Sequence, residues 1–137
     1  MAGYSGTPLV RKLGIKPATT LALLGAPDGF VHELIGLPDD VHIRTRLGRA
    51  PEMTVWFVRT RREMDRRMKP VSRAMGQALW VAWPKRASGV ETDVTEDVVR
   101  AAGLGNGLVD YKVCAINETW SGLKFARRKN PDTRRAD

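Results

Sequence analysis

Residues 21–30, LALLGAPDGF, join a short apolar run to a turn that is bracketed by Gly25 and Gly29. Apolar runs of this length that contain threonine are typical of buried strands, so a strand is predicted over 19–24. The apolar spacing after the turn predicts a helix over 30–37. The turn is therefore either a glycine loop that binds a nucleotide or only the connection between a strand and a helix.

Strand-like and helix-like segments alternate along the rest of the chain. A short helix is predicted over 8–13, and further strands are predicted over 41–45, 53–58 and 78–83. A helix with a methionine stripe on one side and basic residues on the other separates the last two, and Pro70 within it predicts a kink or two shorter helices. Asp93, followed three residues later by a glutamate, resembles a capping box and predicts the start of another helix.

The carboxyl-terminal part contains two strand-like runs, 109–120 and 123–129, that are separated only by a short turn. So short a spacing permits an antiparallel hairpin and excludes a helical crossover. The whole order predicts a three-layer α/β domain of the Rossmann-like kind, with about six mostly parallel strands and a closing antiparallel hairpin. The strands 19–24, 53–58 and 78–83 should be parallel neighbours. The predicted core comprises Leu21, Leu23, Val55, Phe57, Leu79, Val81 and Cys114.

Length and composition indicate one domain, 1–128, followed by a basic tail over 129–137 that is expected to be disordered. The amino terminus has no apolar signal region, and no apolar run is long enough to cross a bilayer. A single cysteine, Cys114, excludes an internal disulfide bond, so a cytoplasmic location is predicted.

The net charge of +8 is concentrated in two segments. Residues 59–73 contain seven basic and two acidic residues, a net +5, and residues 124–137 contain six basic and two acidic residues, a net +4. The rest of the chain is close to neutral, so a partner that recognises positive charge must contact one of these segments.

The order of elements resembles the class I methyltransferase variant of the Rossmann fold, in a reduced version that lacks one of its seven strands. The resemblance implies an acidic residue late in the first strand, glycines at alternate positions after it and an acid after the second strand, all for S-adenosylmethionine (SAM). Here Leu23 and Pro27 occupy the first acidic position and the central glycine position, and Arg44 and Arg46 occur where the second acid is expected. Leucine accepts no hydrogen bond and proline has no amide donor, so SAM binding is disfavoured and is expected to be no tighter than about millimolar.

Three longer stretches begin at Gly3, Leu79 and Val113, and they read GYSGTPLVRKLGIKP, LWVAWPKRASGVETDVTEDVVR and VCAINETWSGLKFARRK. They resemble a bacterial family of small proteins that is known only as a domain of unknown function. This resemblance supports the fold and implies no mechanism. The recurrent polar residues of that family, as they occur here, are Ser5, Trp83, Lys85, Ser88, Asp93, Glu96, Glu118, Trp120 and Ser121.

In open α/β sheets, ligands bind outside the carboxyl ends of the strands. A cationic rim with a tryptophan at that edge suits an anionic or nucleotide-like ligand. The predicted ligand-binding residues are Gly25, Asp28, Gly29, Arg59, Arg61, Trp83, Lys85 and Ser88. The structural explanations are that the charged side chains are only solvated residues at strand ends, that Trp83 packs in the core and that Asp28 caps a helix.

Sequence-independent nucleic-acid binding is an alternative that uses other basic residues. These residues are Arg62, Arg66, Lys69, Arg73, Arg127 and Arg128. A solvated helix face explains the same pattern, and most aromatic residues fall in predicted core strands.

No catalytic set is apparent in the sequence. Glu118 and Ser121 lack a histidine partner and a nucleophile elbow, and the two histidines and one cysteine do not form a metal site. The chain is thus predicted to be a non-catalytic binding protein for an anionic ligand or a macromolecular partner. The alternative of a SAM-dependent methyltransferase of reduced size remains open.

Overall fold

The structure, a computed structural model, describes residues 7–129, and Ser5 and most of the basic tail lie outside this range. The chain forms a six-stranded mixed sheet with helices on both faces, which confirms the predicted fold class. The strands are β1 (Thr20–Leu24), β2 (His42–Arg44), β3 (Met53–Phe57), β4 (Ala78–Pro84), β5 (Leu108–Ala115) and β6 (Trp120–Arg127). The α-helices are α1 (Leu9–Leu13), α2 (Arg61–Ala74) and α3 (Glu96–Leu104), and short 3₁₀ turns occur at Phe30–Glu33 and Arg86–Ser88.

The strand order is β2-β1-β3-β4-β6-β5. Strands β1 to β4 are parallel, and β6 is antiparallel to both β4 and β5, so the predicted parallel neighbours and the closing hairpin are confirmed. The predicted position of the hairpin turn is wrong, because the turn lies at 116–119, whereas Ser121 and Gly122 belong to β6 and pair with β4. Because β6 is antiparallel to β4, the β5–β6 turn lies beside the carboxyl end of β4, where Pro84 pairs with Trp120. The carboxyl ends of β1 to β4 and this turn together form one edge of the sheet, the carboxyl edge.

The front face of the sheet is covered by α1 and by the 3₁₀ turn that begins at Phe30. Leu13, Leu21 and Val55 are completely buried in this layer. The Trp80 indole donates a hydrogen bond from Nε1 to the carbonyl oxygen of Leu13, 2.9 Å away, and so fixes the carboxyl end of α1 against the sheet.

The back face is covered by α2 and α3. The methionine stripe of α2 faces the sheet as predicted, and Met64 and Met68 are buried there with Val81 and Phe125. The opposite side of α2 is exposed and basic, which is the amphipathic arrangement that the 3.6-residue period requires.

The helix predicted over 30–37 is wrong, since only a single 3₁₀ turn forms there. Leu34 has already left the helical region with φ −87° and ψ 66°, and Gly36 adopts φ +80°, so the chain turns away instead of continuing. Leu34 is nevertheless buried. The apolar spacing therefore predicted the burial of this residue but not the conformation of its backbone.

Helix α2 runs unbroken through Pro70, so the alternative of two shorter helices is wrong. Pro70 is exposed, as is Arg66, whose carbonyl oxygen would accept the missing hydrogen bond. Water can therefore satisfy that carbonyl group, which lowers the cost of proline within the helix.

Asp93 does not begin α3, as the capping-box pattern predicted. The N-cap of α3 is Thr95, whose side chain accepts a hydrogen bond from the amide of Val98, 3.3 Å away. Asp93 instead accepts a hydrogen bond from the backbone amide of Arg61, 2.8 Å away, at the beginning of α2. The carboxylate therefore stabilises the other back-face helix.

The predicted core is buried except for Cys114, which is half-buried. This residue lies on β5, an edge strand with a neighbour on one side only, and it pairs with Gly122, which contributes no side chain to cover it. No helix within residues 7–129 combines the length and the hydrophobicity that crossing a bilayer requires.

Candidate functional site

Arg59 lies at the centre of the carboxyl edge. It follows β3 directly, and one guanidinium nitrogen, Nη1, donates a hydrogen bond to the carbonyl oxygen of Gly25, 3.2 Å away. The guanidinium carbon lies 5.0 Å from the centroid of the Trp120 ring, within the range of a cation–π contact. Arg59 thus connects the turn after β1, the end of β3 and the start of β6.

A cluster of three aromatic rings packs beneath Arg59, on the core side of Trp120. Phe57 makes edge-to-face contacts with Phe30, at a centroid distance of 4.9 Å, and with Trp120, at 5.0 Å. The three rings are nearly fully buried, so they provide a rigid apolar floor under the guanidinium group. The Asn117 side chain donates a hydrogen bond to Glu33, 2.9 Å away, and ties the β5–β6 turn to the 3₁₀ turn beside it.

The amino terminus of α2, next to Arg59, is already capped. The Thr60 hydroxyl accepts a hydrogen bond from the amide of Glu63, and the Glu63 carboxylate accepts one from the amide of Arg59. Thr92 donates a hydrogen bond to the carbonyl oxygen of Arg59, 2.6 Å away, and Asp93 is bonded to Arg61. These partners occupy the amides of Arg61 and Glu63 at the helix terminus, and the Arg59 side chain is a further donor group of the edge.

The turn after β1 approaches the backbone of β3 at Gly25, while Asp28 and Gly29 are exposed. Gly25 has φ +67°, and a Cβ atom there would lie 3.0 Å from the carbonyl oxygen of Phe57, so glycine is needed for the close approach of the two chains. The carbonyl oxygen of Pro27 accepts a hydrogen bond from the amide of Phe30, 3.1 Å away. The side chain of Asp28 caps no helix, and the N-cap of the 3₁₀ turn is Gly29.

A cleft of about 380 Å³ lies beside this centre, between the end of β4 and the start of α3. Trp83 and Arg86 line it on one side, and Thr92, Thr95 and Glu96 line it on the other. Trp83 is only 6 % exposed, so its ring packs mostly in the back-face core, as the structural explanation of this residue predicted.

The predicted rim residues do not form one pocket. Arg59 and Gly25 are in contact, whereas the side chain of Arg61, the first residue of α2, is exposed. The Ser88 hydroxyl donates a hydrogen bond to the carbonyl oxygen of Lys85 and accepts one from Val90, so it stabilises a turn. Lys85 is half-buried, and its amide donates a hydrogen bond to the carbonyl oxygen of Thr119.

Trp120 is the important residue that the sequence-based site did not include. Its contact with Arg59 depends on the pairing of β6 with β4, which places the β5–β6 turn at the carboxyl edge. The signal was available in the predicted hairpin, because an antiparallel strand that neighbours β4 must start where β4 ends.

The basic residues of the nucleic-acid alternative fall into two groups. Arg62, Arg66, Lys69 and Arg73 are exposed on the solvent side of α2. Arg127, in contrast, donates hydrogen bonds to the carbonyl oxygens of Arg73 and Met75, and Arg128 donates to those of Leu104 and Leu108. The second group therefore caps the carboxyl ends of α2 and α3, which accounts for its charge structurally.

Ion pairing in the described range is confined to Arg100, which contacts Glu96, Asp97 and Asp110. The hydrogen bond to Glu96, and to a smaller extent that to Asp110, raises the pKa of the Arg100 guanidinium group above its ordinary value. The guanidinium group of Arg59 forms no ion pair among residues 7–129, and this distinguishes it from that of Arg100.

Other chemistry receives little support from the geometry. Burial raises the pKa of the Cys114 thiol, against the opposing effect of nearby lysines, so the reactive thiolate is disfavoured. Within the described part of the chain, histidine, cysteine and acidic side chains form no cluster of three or more that could hold a metal ion.

The fold is that of SAM-dependent methyltransferases. No family model and no curated protein matches the chain. Among solved structures, magnesium protoporphyrin IX methyltransferase (ChlM) from Synechocystis PCC 6803 with bound SAM is similar at a TM-score of 0.58 and 10 % identity, over 87 % of this chain and 74 % of that chain. The DhpI–SAH complex is similar at a TM-score of 0.61 and 10 % identity, over 90 % and 83 %. A putative type 11 methyltransferase from Sulfolobus solfataricus is similar at a TM-score of 0.59 and 12 % identity, over 88 % and 89 %. At these identities the likeness concerns the fold alone, and it confirms the predicted methyltransferase-like architecture.

Proposed function

We propose that this chain is a binding protein with a methyltransferase-like fold that binds a small anion at the carboxyl edge, with Arg59 as the receptor. The observation that carries this function is the position of the Arg59 guanidinium group, which is bonded to Gly25, stacked on Trp120 and unpaired with any carboxylate of the described residues. The class of ligand is a phosphate- or carboxylate-bearing small molecule.

The chemistry of arginine supports an anion as the ligand. A guanidinium group has five N–H donors in one plane, and the bond to Gly25 uses one nitrogen. The cation–π contact with Trp120 and the hydrogen bond to Gly25 restrict the guanidinium group, which reduces the entropy that a ligand would otherwise have to offset on binding. The planar fork matches the geometry of a phosphate or carboxylate.

The residues at the SAM positions argue against that cofactor. The side chain of Leu23 is buried in the front-face core, and Pro27 offers no amide. Arg44 stands where the resemblance implies an acid for the ribose, and its guanidinium group donates hydrogen bonds to the carbonyl oxygens of Leu47 and Arg49. Each missing charge-assisted contact weakens binding by about 1.5–3 kcal/mol, so SAM affinity is expected to be no tighter than about millimolar.

A SAM-dependent methyltransferase of reduced size is the second candidate function. The similarity to ChlM with bound SAM and to the DhpI–SAH complex favours it, because the matched region covers most of this chain. This function would need contacts other than those the resemblance implies at Leu23, Pro27 and Arg44.

Calorimetry and thermal unfolding of the full chain separate the two functions. Inorganic phosphate or AMP should raise the unfolding temperature of the wild type, and Arg59→Gln should abolish this response. Arg66→Gln, an exposed arginine on α2, is the matched control and should leave the response unchanged. Micromolar binding of SAM would instead favour the methyltransferase, and an unchanged response in Arg59→Gln would reject Arg59 as the receptor.

A further inference from the structure

Strand β5 lies at one edge of the sheet, and within residues 7–129 it pairs only with β6. Three of its side chains, Val109, Tyr111 and Val113, are large, apolar and at least 40 % exposed. An edge strand presents unpaired backbone groups, and apolar side chains beside them favour association with another strand. No residue of the anion site proposed above belongs to β5, so this surface is independent of that site.

The part of this edge that is open to another strand is the middle of β5. At one end, the Leu108 carbonyl oxygen accepts a hydrogen bond from Arg128, and at the other end the Ala115 carbonyl oxygen accepts one from Lys12. Residues 109–114 lie between these two bonds, and they are called the open stretch of β5 below.

A β-bulge at Tyr111 interrupts the open stretch. Asp110 pairs with Phe125 and Lys112 pairs with its neighbour Lys124, so Tyr111 is an additional residue on β5. The alternation of side chains between the two faces of the sheet is therefore out of step on the two sides of the bulge.

Contacts place three consecutive and alternate positions after the bulge on the front face. The centroid of the Tyr111 ring is 5.6 Å from Nζ of Lys124, and the Lys112 amine donates a hydrogen bond to the carbonyl oxygen of Lys12 in α1, 2.9 Å away. Cys114 packs against the front-face core. Tyr111, Lys112 and Cys114 therefore lie on the same face as α1.

Contacts on the back face assign the remaining positions. Asp110 accepts a hydrogen bond from Arg100 of α3, 3.0 Å away, and Val113 pairs with Leu123, which is buried in the back-face core. Val109 precedes the back-facing Asp110 and so lies on the front face. From 109 to 114, the faces are thus front, back, front, front, back and front.

This order of faces reads the same in both directions. Two copies of the open stretch can therefore lie antiparallel about a twofold axis between positions 111 and 112, with every side chain opposite one on its own face. A regular strand alternates without interruption and would match the faces on only one side of the bulge. The opposed pairs, with the second residue taken from the second copy, are Val109 with Cys114, Asp110 with Val113 and Tyr111 with Lys112.

We propose that two copies of this chain form a twofold-symmetric dimer by antiparallel pairing of their β5 strands. The backbone ladder joins the two sheets into one, and the Tyr111 ring of each copy lies opposite the ammonium group of Lys112 of the other copy. The charge of Asp110 is compensated by Arg100 in its own chain, so no unpaired charge is placed opposite Val113. An interface of one strand is small, so the dimer is reversible with a dissociation constant in the micromolar range.

A disulfide bond tests the register of this pairing, because Cys114 is the only cysteine of the chain. Directly opposed residues of antiparallel strands have Cβ atoms about 4.5–5.5 Å apart, close to the roughly 3.5–4.5 Å that a disulfide spans. Val109→Cys should therefore form covalent dimers in high yield under a mild thiol oxidant, as seen by non-reducing electrophoresis. Val113→Cys is the matched control on the same strand, and it should remain mostly monomeric because it opposes Asp110. Equal dimer yields from the two variants would overturn the assigned register.

Sedimentation of the full chain over a range of concentrations tests the dimer itself. Tyr111→Lys places like charges opposite one another on both sides of the axis and should raise the dissociation constant about tenfold, whereas Tyr111→Glu, opposite Lys112, should preserve the dimer. Ile35→Lys, at an exposed apolar residue outside β5, is the control and should have no effect. A wild-type chain that stays monomeric up to millimolar concentration, or a dimer that Tyr111→Lys leaves unchanged, would overturn the proposal.

Discussion

At the scale of single residues, partners in space separate the functional candidates from the structural ones. The guanidinium group of Arg100, within α3, contacts three carboxylates, whereas that of Arg59, just before α2, contacts a carbonyl group and an indole ring. Thr92 and Thr54 differ in a similar way. The Thr92 hydroxyl makes two hydrogen bonds, whereas the completely buried Thr54 hydroxyl, in the central strand β3, has no hydrogen-bond partner in the described structure.

The unpaired hydroxyl predicts that Thr54→Val will stabilise the protein by about 1 kcal/mol, because it removes a buried polar group without changing the shape of the side chain. Chemical denaturation of both proteins measures the difference in the free energy of unfolding. Thr92→Val is the matched control and should destabilise by about 1 kcal/mol, since it removes hydrogen bonds to Arg59 and Val94. A loss of stability in Thr54→Val would indicate that its hydroxyl has a partner after all.

At the scale of elements, the sequence predicted the central strands of the sheet well, and it predicted the position of the hairpin turn and the connections on the front face poorly. The runs over 53–58 and 78–83 are apolar on both faces, which is the pattern of central strands in a sheet that is covered on both sides. The predicted boundaries of these two strands agree with the observed boundaries to within one residue. Apolar spacing over 30–37 matched a helix equally well, but it measures burial and not backbone conformation.

The candidate site was predictable only in its location. The rule that ligands bind at the carboxyl ends of strands placed Arg59 at the correct edge. Its contact with Gly25 joins residues 34 positions apart, and its contact with Trp120 depends on the register between β4 and β6. Such long-range geometry follows from the sheet pairing, which local sequence patterns do not specify.

The packing of α3 against β6 predicts a destabilising effect of Gly103→Ala. A Cβ atom at Gly103 would lie 2.1 Å from Cε1 of the buried Phe125 ring. Overpacking costs about 1–3 kcal/mol, which exceeds the gain of about 1 kcal/mol that alanine offers within a helix. Thermal or chemical unfolding measures the net loss.

Ala101→Gly in the same helix is the comparison for Gly103→Ala, because Ala101 is exposed and its substitution should cost only the helix propensity, about 1 kcal/mol. If Gly103→Ala stabilised the protein, α3 would have to lie farther from β6 than the structure places it.

At the scale of the whole molecule, the positive charge of residues 59–73 lies on two separate surfaces. One is the carboxyl edge around Arg59, and the other is the exposed side of α2, which contains Arg62, Arg66, Lys69 and Arg73. Within residues 7–129 these four side chains make no cation–π contact, whereas Arg59 lies over the buried Trp120 ring. Solubility is a sufficient explanation for the α2 charges, and it is not sufficient for Arg59.

A triple variant, Arg62→Gln, Arg66→Gln and Arg73→Gln, distinguishes binding at the carboxyl edge from binding at α2. This variant should retain the wild-type thermal response to inorganic phosphate, because it leaves the carboxyl edge unchanged. Gel-shift titrations on random DNA and RNA at two salt concentrations should show only weak, sequence-independent association of the wild type, which the triple variant loses. If nucleic acid were the physiological partner, each phosphate contact removed would reduce the salt dependence of log K by about 0.9 for duplex DNA. A strong, salt-sensitive shift of the wild type, with no thermal response to any anion, would mean that α2 and not the carboxyl edge is the binding surface.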